Sequence, residues 1–223
     1  MFVSILFSLV TCLLLQRTES IRLEYKISSG QFLVYSEIQI VERHDVDKRL
    51  EQTVEYIQMN YTEHVTEINS IKHIERKINS IQIIPRNHNK LKQLSETTHR
   101  QFGQQAMSRP AELSTVDGHI ILPPPTEPTF PEHELDVNQT WVVPIMNSLG
   151  EIHYKLLHID ENSLADIEFE GGLAVSPDTL LMGKWSFDIE RGITLAQQTT
   201  STSSIFADRR ITKTTIQKLL SIK

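Results

Sequence analysis

The chain has 223 residues, a formal net charge of −6 and a single cysteine. Its length is enough to bury a sizeable core. The mild acidity, with no basic patch and no polybasic arm, argues against nucleic acid as a partner and against electrostatic recruitment to an anionic membrane surface. One cysteine excludes a disulfide framework within the chain and any thiolate metal cluster.

Residues 1–15, MFVSILFSLVTCLLL, carry no charged side chain, and the first charge is Arg17. The run falls short of the roughly 20 apolar residues that span a bilayer and matches the apolar core of an export signal. Thr18-Glu19-Ser20 supplies small residues just before Ile21, so residues 1–20 are read as a signal peptide removed before Ile21. Two alternatives stay open. One is a retained anchor. The other is lipidation at Cys12, because Leu9-Val10-Thr11-Cys12 has the order of a lipobox. Against lipidation, Thr11 is bulkier than the residue usual there, and Leu13, Leu14 and Leu15 continue the apolar run. Cys12 then reads as one more small apolar side chain. Loss of residues 1–20 removes Arg17 and Glu19 together, so the net charge stays at −6. The expected location is extracytoplasmic, periplasmic or secreted. Membrane association is expected only through residues 1–20, if they are retained or lipidated.

Ile21–Val41 predicts two strands around a turn at Ser28-Ser29-Gly30. The second arm places Phe32, Val34, Ser36, Ile38 and Ile40 on one face, and Leu33, Tyr35, Glu37, Gln39 and Val41 on the other. Residues 50–84 fit both periods. Thr53–Thr62 is read as a strand, although Val54, Ile57 and Tyr61 also match helical spacing. Val65–Ile84 is read as two short strands split near Asn69-Ser70, although its isoleucines recur every three or four residues. Residues 85–111 are polar and read as a linker, with room for a short helix around Leu91–Phe102. Glu112–Leu122 predicts a hairpin on Asp117-Gly118. Pro123–Pro131, PPPTEPTFP, reads as an extended spacer, with a proline-rich recognition ligand as the alternative.

A regular series follows. Trp141–Met146 predicts a strand whose Pro144 marks an edge or a bulge. Glu151–Ile159, Leu164–Glu170, Leu181–Ile189 and Ile193–Phe206 predict four more, with turns at Ser148–Gly150, Glu161-Asn162 and Glu190–Gly192. Thr199–Ser204, TTSTSS, suits an exposed face. Ile211–Ile222 fits either a closing strand or a short helix. Trp141, Trp185 and Phe187 are the expected core anchors. The predicted fold is mostly β: curved antiparallel sheets, as a sandwich or an incomplete barrel, with at most one or two short helices. Residues 21–84 and 112–223 form its two units, packed together and joined by 85–111.

Leu135-Asp136-Val137-Asn138-Gln139-Thr140-Trp141, Tyr154-Lys155-Leu156, Ala165-Asp166-Ile167 and the run from Gly183 through Phe187-Asp188 to Gly192 carry a resemblance. Over residues 112–206 the chain resembles uncharacterised exported bacterial β-rich protein families of unknown function. In those families a Gly-Asp-x-Trp strand start leads to Tyr-x-Leu, Ala-x-Ile and a Gly-x-x-x-Phe-Asp-x-x-x-Gly hairpin. Here Asn138-Gln139 replaces Gly-Asp. The resemblance implies an exported β domain and assigns no activity and no site residue. Ser29-Gly30-Gln31-Phe32 also echoes Asn138-Gln139-Thr140-Trp141, which suggests two related β units packed face to face.

Nine histidines invite a metal search. Neither HExxH nor a two-histidine, one-carboxylate spacing occurs. His153 and His158, five apart, are expected on opposite faces of one strand. Pro131-Glu132-His133-Glu134 reads as a solvated loop. Asp166 and Glu168 read as a solvent face over Ala165, Ile167 and Phe169 rather than as a hydrolytic carboxylate pair. There is no Gly-x-Ser-x-Gly elbow and no phosphate loop. Asn60-Tyr61-Thr62 and Asn138-Gln139-Thr140 match the glycosylation sequon, which matters only in a eukaryotic source. No catalytic, metal or cofactor-binding residue is assigned and no cofactor is expected. The expected function is non-enzymatic: binding an envelope or secreted macromolecule, or a structural role. A carrier of a lipid or other apolar ligand in a curved sheet is the alternative, and a hydrolase comes third.

Overall fold

Alternating apolar and polar side chains, rich in β-branched residues, commit most of this chain to strands. The computed structural model describes residues 20–45, 50–68, 71–85, 98–101, 114–116, 119–121, 128–145, 150–174, 176–206 and 209–223, and no helix occurs among them. The strands are β1 (Phe32–Asp45), β2 (Leu50–Ile68), β3 (Ile71–Ile84), β4 (Thr98–Gln101), β5 (Ser114–Val116), β6 (His119–Ile121), β7 (Thr140–Ile145), β8 (Gly150–Ile159), β9 (Leu164–Leu173), β10 (Ser176–Asp188), β11 (Ile193–Phe206) and β12 (Arg209–Ile222). Ten of them form one open antiparallel sheet in the order β4-β3-β2-β1-β12-β11-β10-β9-β8-β7.

The seam between early and late strands is β1 against β12, with Ile38 opposite Ile216. The segments expected to stack face to face therefore lie side by side in one sheet. Each strand is bonded to its sequence neighbour, apart from this seam and the break between β4 and β7. β7 ends the sheet, and Pro144 sits there, where a missing N–H costs no ladder bond. The predicted hairpin at 112–122 forms as β5 paired with β6, which lies against β11. Thr98–Gln101 is a strand, within the stretch where a short helix had room; residues 91–97 and 102 lie outside the described residues.

One face of the sheet is buried, and its apolar side chains gather on the two flanks. On the β7–β10 flank Trp141, Tyr154, Phe169 and Trp185 stack in a row, with ring centroids 5.2 Å apart for Trp141–Tyr154, 5.7 Å for Tyr154–Trp185 and 4.4 Å for Phe169–Trp185. Gly183 makes room for that row, since a Cβ there would lie 2.5 Å from Phe169 Cε1. On the β1–β3 flank the cluster holds Leu33, Tyr35, Ile57, Met59, Tyr61 and Val65. Each large side chain buried in this way contributes roughly 1.5–3 kcal/mol. The β8–β9 turn is set by Asp160, whose Oδ1 accepts the N–H groups of Asn162 (2.9 Å) and Leu164 (2.8 Å). The Leu164 N–H is the largest influence holding the Asp160 carboxyl below its ordinary pKa.

The first arm of the predicted Ile21–Val41 hairpin folds differently. The turn forms, with Gly30 at φ +86°, but Ile21–Ile27 does not pair with β1, whose two edges are taken by β2 and β12. The arm instead becomes a strap across one end of the sheet. Ile21 exchanges two backbone bonds with Leu135 (2.8 Å each), Lys26 N–H donates to Gly192 O (3.2 Å), and Gly30 N–H donates to Val65 O (2.7 Å). Its alternation is used inward: Leu23 joins the β7–β10 cluster and Ile27 the β1–β3 cluster.

Candidate functional site

Beneath the strap lies a groove of 650 Å³, bounded by the β10–β11 turn and the ends of β11 and β12. It exists because the strap is pinned at Lys26 and Gly30 and spans the strand ends between them. Along the span, Ile27 O accepts from Lys72 Nζ, and Ser28 N–H donates to Gln31 Oε1 at 2.9 Å. The lining is mixed, with Ile27, Ile193, Leu195, Leu219, Leu220 and Ile222 set among Lys26, Gln31, Glu190, Arg191 and Ser221. Ile27 and Ile193 are buried, half-buried Leu195, Leu219 and Ile222 pack on the same cluster, and Leu220 is 55% exposed.

The turn that holds the strap depends on Gly192. Its φ is +62°, and a Cβ would fall 2.2 Å from Lys26 N. The groove's rim is charged. Lys26 Nζ donates to Ile189 O (3.0 Å). Arg191 is 67% exposed along its side chain, with Nε 3.6 Å from Asp188 Oδ2. Glu190 Oε1 accepts from Ser163 Oγ at 3.4 Å.

Deeper along the same face, the central strands turn polar. Gln197 Oε1 accepts from Trp185 Nε1 (2.7 Å). Gln217 Nε2 donates to Tyr61 Oη, which donates to Glu37 Oε2 at 3.1 Å, while Gln39 Nε2 donates to Glu37 Oε1. Arg76 Nε and Nη2 donate to Glu63 Oε1 at 3.0 and 2.7 Å, and its guanidinium carbon lies 4.1 Å over the Tyr61 ring. Burial pushes the Tyr61 phenol well above its ordinary pKa, with Arg76 opposing. Thr199, Ser201 and Ser203 also face inward and are buried, which corrects the exposed reading of TTSTSS. Only alternate members point out: Thr200 and Thr202, with hydroxyls 3.4 and 3.3 Å from those of Thr214 and Thr212. The buried hydroxyls of Thr199, Ser201 and Ser203 have no hydrogen-bond partner among the described residues. An apolar chain entering the groove gains nothing beyond Leu195 and Leu219, so this polar stretch sets the groove's inner limit.

The residues singled out from sequence lie elsewhere. His153 and His158 do not face opposite ways, because a bulge between Leu156 and His158 resets the alternation and leaves both exposed, opposite Glu170 and Asp166. Asp166 accepts from Ser186 Oγ at 2.9 Å. Glu168 lies between Lys155 and Lys184, over buried Ala165, Ile167 and Phe169. Of these, His153, Lys155, Glu168, Glu170 and Lys184 line a shallow outer-face groove of 590 Å³. Glu132, His133 and Glu134 are exposed, and Glu134 accepts from Ser20 Oγ at 2.7 Å. Asn60 donates to Ser80 Oγ at 3.0 Å, and Asn138 is exposed at φ 71°. Among the described residues no group of three or more His, Cys, Asp or Glu is placed to hold a metal ion. Cys12 lies outside the described residues.

No protein-family model matches the sequence, and no curated protein does. Among solved structures, one of lipovitellin that describes its lipid–protein interactions aligns with a TM-score of 0.56 at 10% identity, over 88% of this chain. The present chain spans 26% of the lipovitellin chain. The likeness is one of fold. An outer membrane channel from Pseudomonas putida F1 aligns over 91% of this chain and 100% of its own, at 10% identity, with a TM-score of 0.18 that carries no structural argument.

Proposed function

We propose that this chain is a non-catalytic extracytoplasmic carrier that holds the apolar part of a lipid or other amphiphile in the groove under the strap. The observation that carries this reading is the floor of the groove. Half-buried Leu195, Leu219 and Ile222 line it beside buried Ile27 and Ile193 and pack on the inner cluster, beneath a strap with few backbone ties. The volume of 650 Å³ falls within the range of small-molecule sites, about 300–1,000 Å³. The fold likeness to lipovitellin, a protein whose structure describes lipid interactions, supports the same reading.

Native mass spectrometry of the exported protein tests it. The expected result is a complex with one amphiphile per chain, released on denaturation. Bare protein that also fails to bind added amphiphile overturns the carrier reading. A second reading, binding of an envelope or secreted macromolecule, is favoured by the outer face. There Ile38 lies opposite Ile216, and Ile40, Tyr56 and Ile84 form a row, with Ile216 40% and Ile84 54% exposed.

A further inference from the structure

We infer that removal of residues 1–20 adds a clamp to the fold: the α-ammonium freed at Ile21 is held between Leu135 O and the Glu134 carboxylate, and fastens the strap. This rests on the extracytoplasmic part of the proposed function, in which those residues are cleaved off. The strap joins the core from its first residues. Ile21 N–H donates to Leu135 O at 2.8 Å, and Leu135 N–H donates back to Ile21 O at 2.8 Å. Leu23 and Leu135 are both buried. The Tyr25 ring packs against Phe130 and Phe187, with centroids 5.0 and 5.4 Å away, and its hydroxyl donates to Pro128 O at 2.7 Å. These contacts fix the Ile21 nitrogen whether or not it carries a charge.

Glu134 sits beside the bond to be cut. Its Oε2 accepts from Ser20 Oγ at 2.7 Å, and Ser20 is the residue bonded to the Ile21 nitrogen. Hydrolysis breaks that C–N bond. Water supplies the oxygen that makes Ser20 a carboxylate and the two protons that turn the Ile21 N–H into an ammonium. Ser20 leaves with its hydroxyl, which frees Glu134 Oε2. The ammonium keeps its bond to Leu135 O and gains two N–H groups, one of them along the direction of the broken bond. A bond from an ammonium to a carboxylate is roughly twice as strong as a neutral one. The charges around it favour a cation. Arg22 Nε lies 3.8 Å from Glu24 Oε2 on the strap itself, and the facing segment presents exposed Glu132, His133, Glu134 and Asp136. Residues 128–136 contain no lysine or arginine to compete for Glu134.

The test expresses the full chain in a secreting host and takes the intact mass of the protein recovered outside the cells, which is expected to start at Ile21. Hydrogen exchange at the Leu135 amide is then compared in four forms: the mature protein, Glu134→Gln, the mature protein acetylated on its α-amine, and the two changes combined. Acetylation is expected to speed exchange about two- to fivefold in the mature protein, the scale of an exposed ion pair. In Glu134→Gln it is expected to change little. No acceleration, or equal acceleration with and without the Glu134 carboxylate, overturns the clamp while the extracytoplasmic reading stands. A secreted chain that starts anywhere but Ile21 does the same. A chain that stays inside the cells with Met1 retained overturns both.

Discussion

Arg76→Met is the sharpest perturbation of the interior. Glu63 is 1% exposed, and its Oε1 accepts two bonds from Arg76, whose guanidinium also covers the Tyr61 ring. Methionine keeps much of the side-chain length and removes the charge, so Glu63 is left as a buried carboxylate without its guanidinium. Breaking such a pair from one side costs about 3–5 kcal/mol. For a chain of this size each kcal/mol moves the midpoint by about 2–4 °C, so a fall of about 6–20 °C is expected. Glu63→Leu/Arg76→Met removes both charges together and is expected to recover most of the loss, because the desolvation cost disappears with the pair. Urea unfolding followed by tryptophan fluorescence suits the measurement, since Trp141 and Trp185 are both buried. A single variant within about 1 kcal/mol of wild type, or a double variant no more stable than the single, refutes the reasoning.

Further outcomes follow from the glycines and the buried phenols. Gly192→Ala meets a left-handed φ of +62° and a contact of 2.2 Å with Lys26 N; the backbone term alone is about 1 kcal/mol or more. Hydrogen exchange is expected to accelerate along the strap, with weaker amphiphile binding. Gly183→Ala places a Cβ 2.5 Å from both Gln198 O and Phe169 Cε1, and overpacking of about 1–3 kcal/mol is expected in a thermal melt. Burial raises the pKa of Tyr61 and of Tyr154. The native state therefore favours their neutral forms: that stability is complete below the ordinary tyrosine pKa of about 10 and is lost as pH rises beyond it. Phenolate absorbance is expected to show these two ionising only as the protein unfolds. Titration of all five tyrosines together in the folded state contradicts this.

Strand periodicity was the legible part of this sequence. Pro144 marked the edge strand, Asp117-Gly118 sits between two paired strands, and Trp141, Trp185 and Phe187 are buried as the core anchors. Isoleucine spacing left residues 50–84 open between helix and strand, and tertiary pairing resolved them into long strands, β2 and β3. The groove was not legible, because it depends on where Ile21–Ile27 docks. The alternation of Ile21, Leu23, Tyr25 and Ile27 showed a buried edge but not its partner. The polar interior was half legible. The mixed face Leu33, Tyr35, Glu37, Gln39, Val41 is the inward one, yet a pattern rule sends Glu37 to solvent. Thr199, Ser201 and Ser203 misled for the same reason: in the middle of a wide sheet, position decides burial before residue type does.

The carrier reading is tested most directly by a photoreactive fatty acid, cross-linked to the protein and mapped by peptide mass spectrometry. Labels concentrated on the strap around Ile27 and on the Leu219–Ile222 end of β12 are the predicted result. Labels spread over the outer face, at Val142, Met182 and Ile216, with none under the strap, would contradict it.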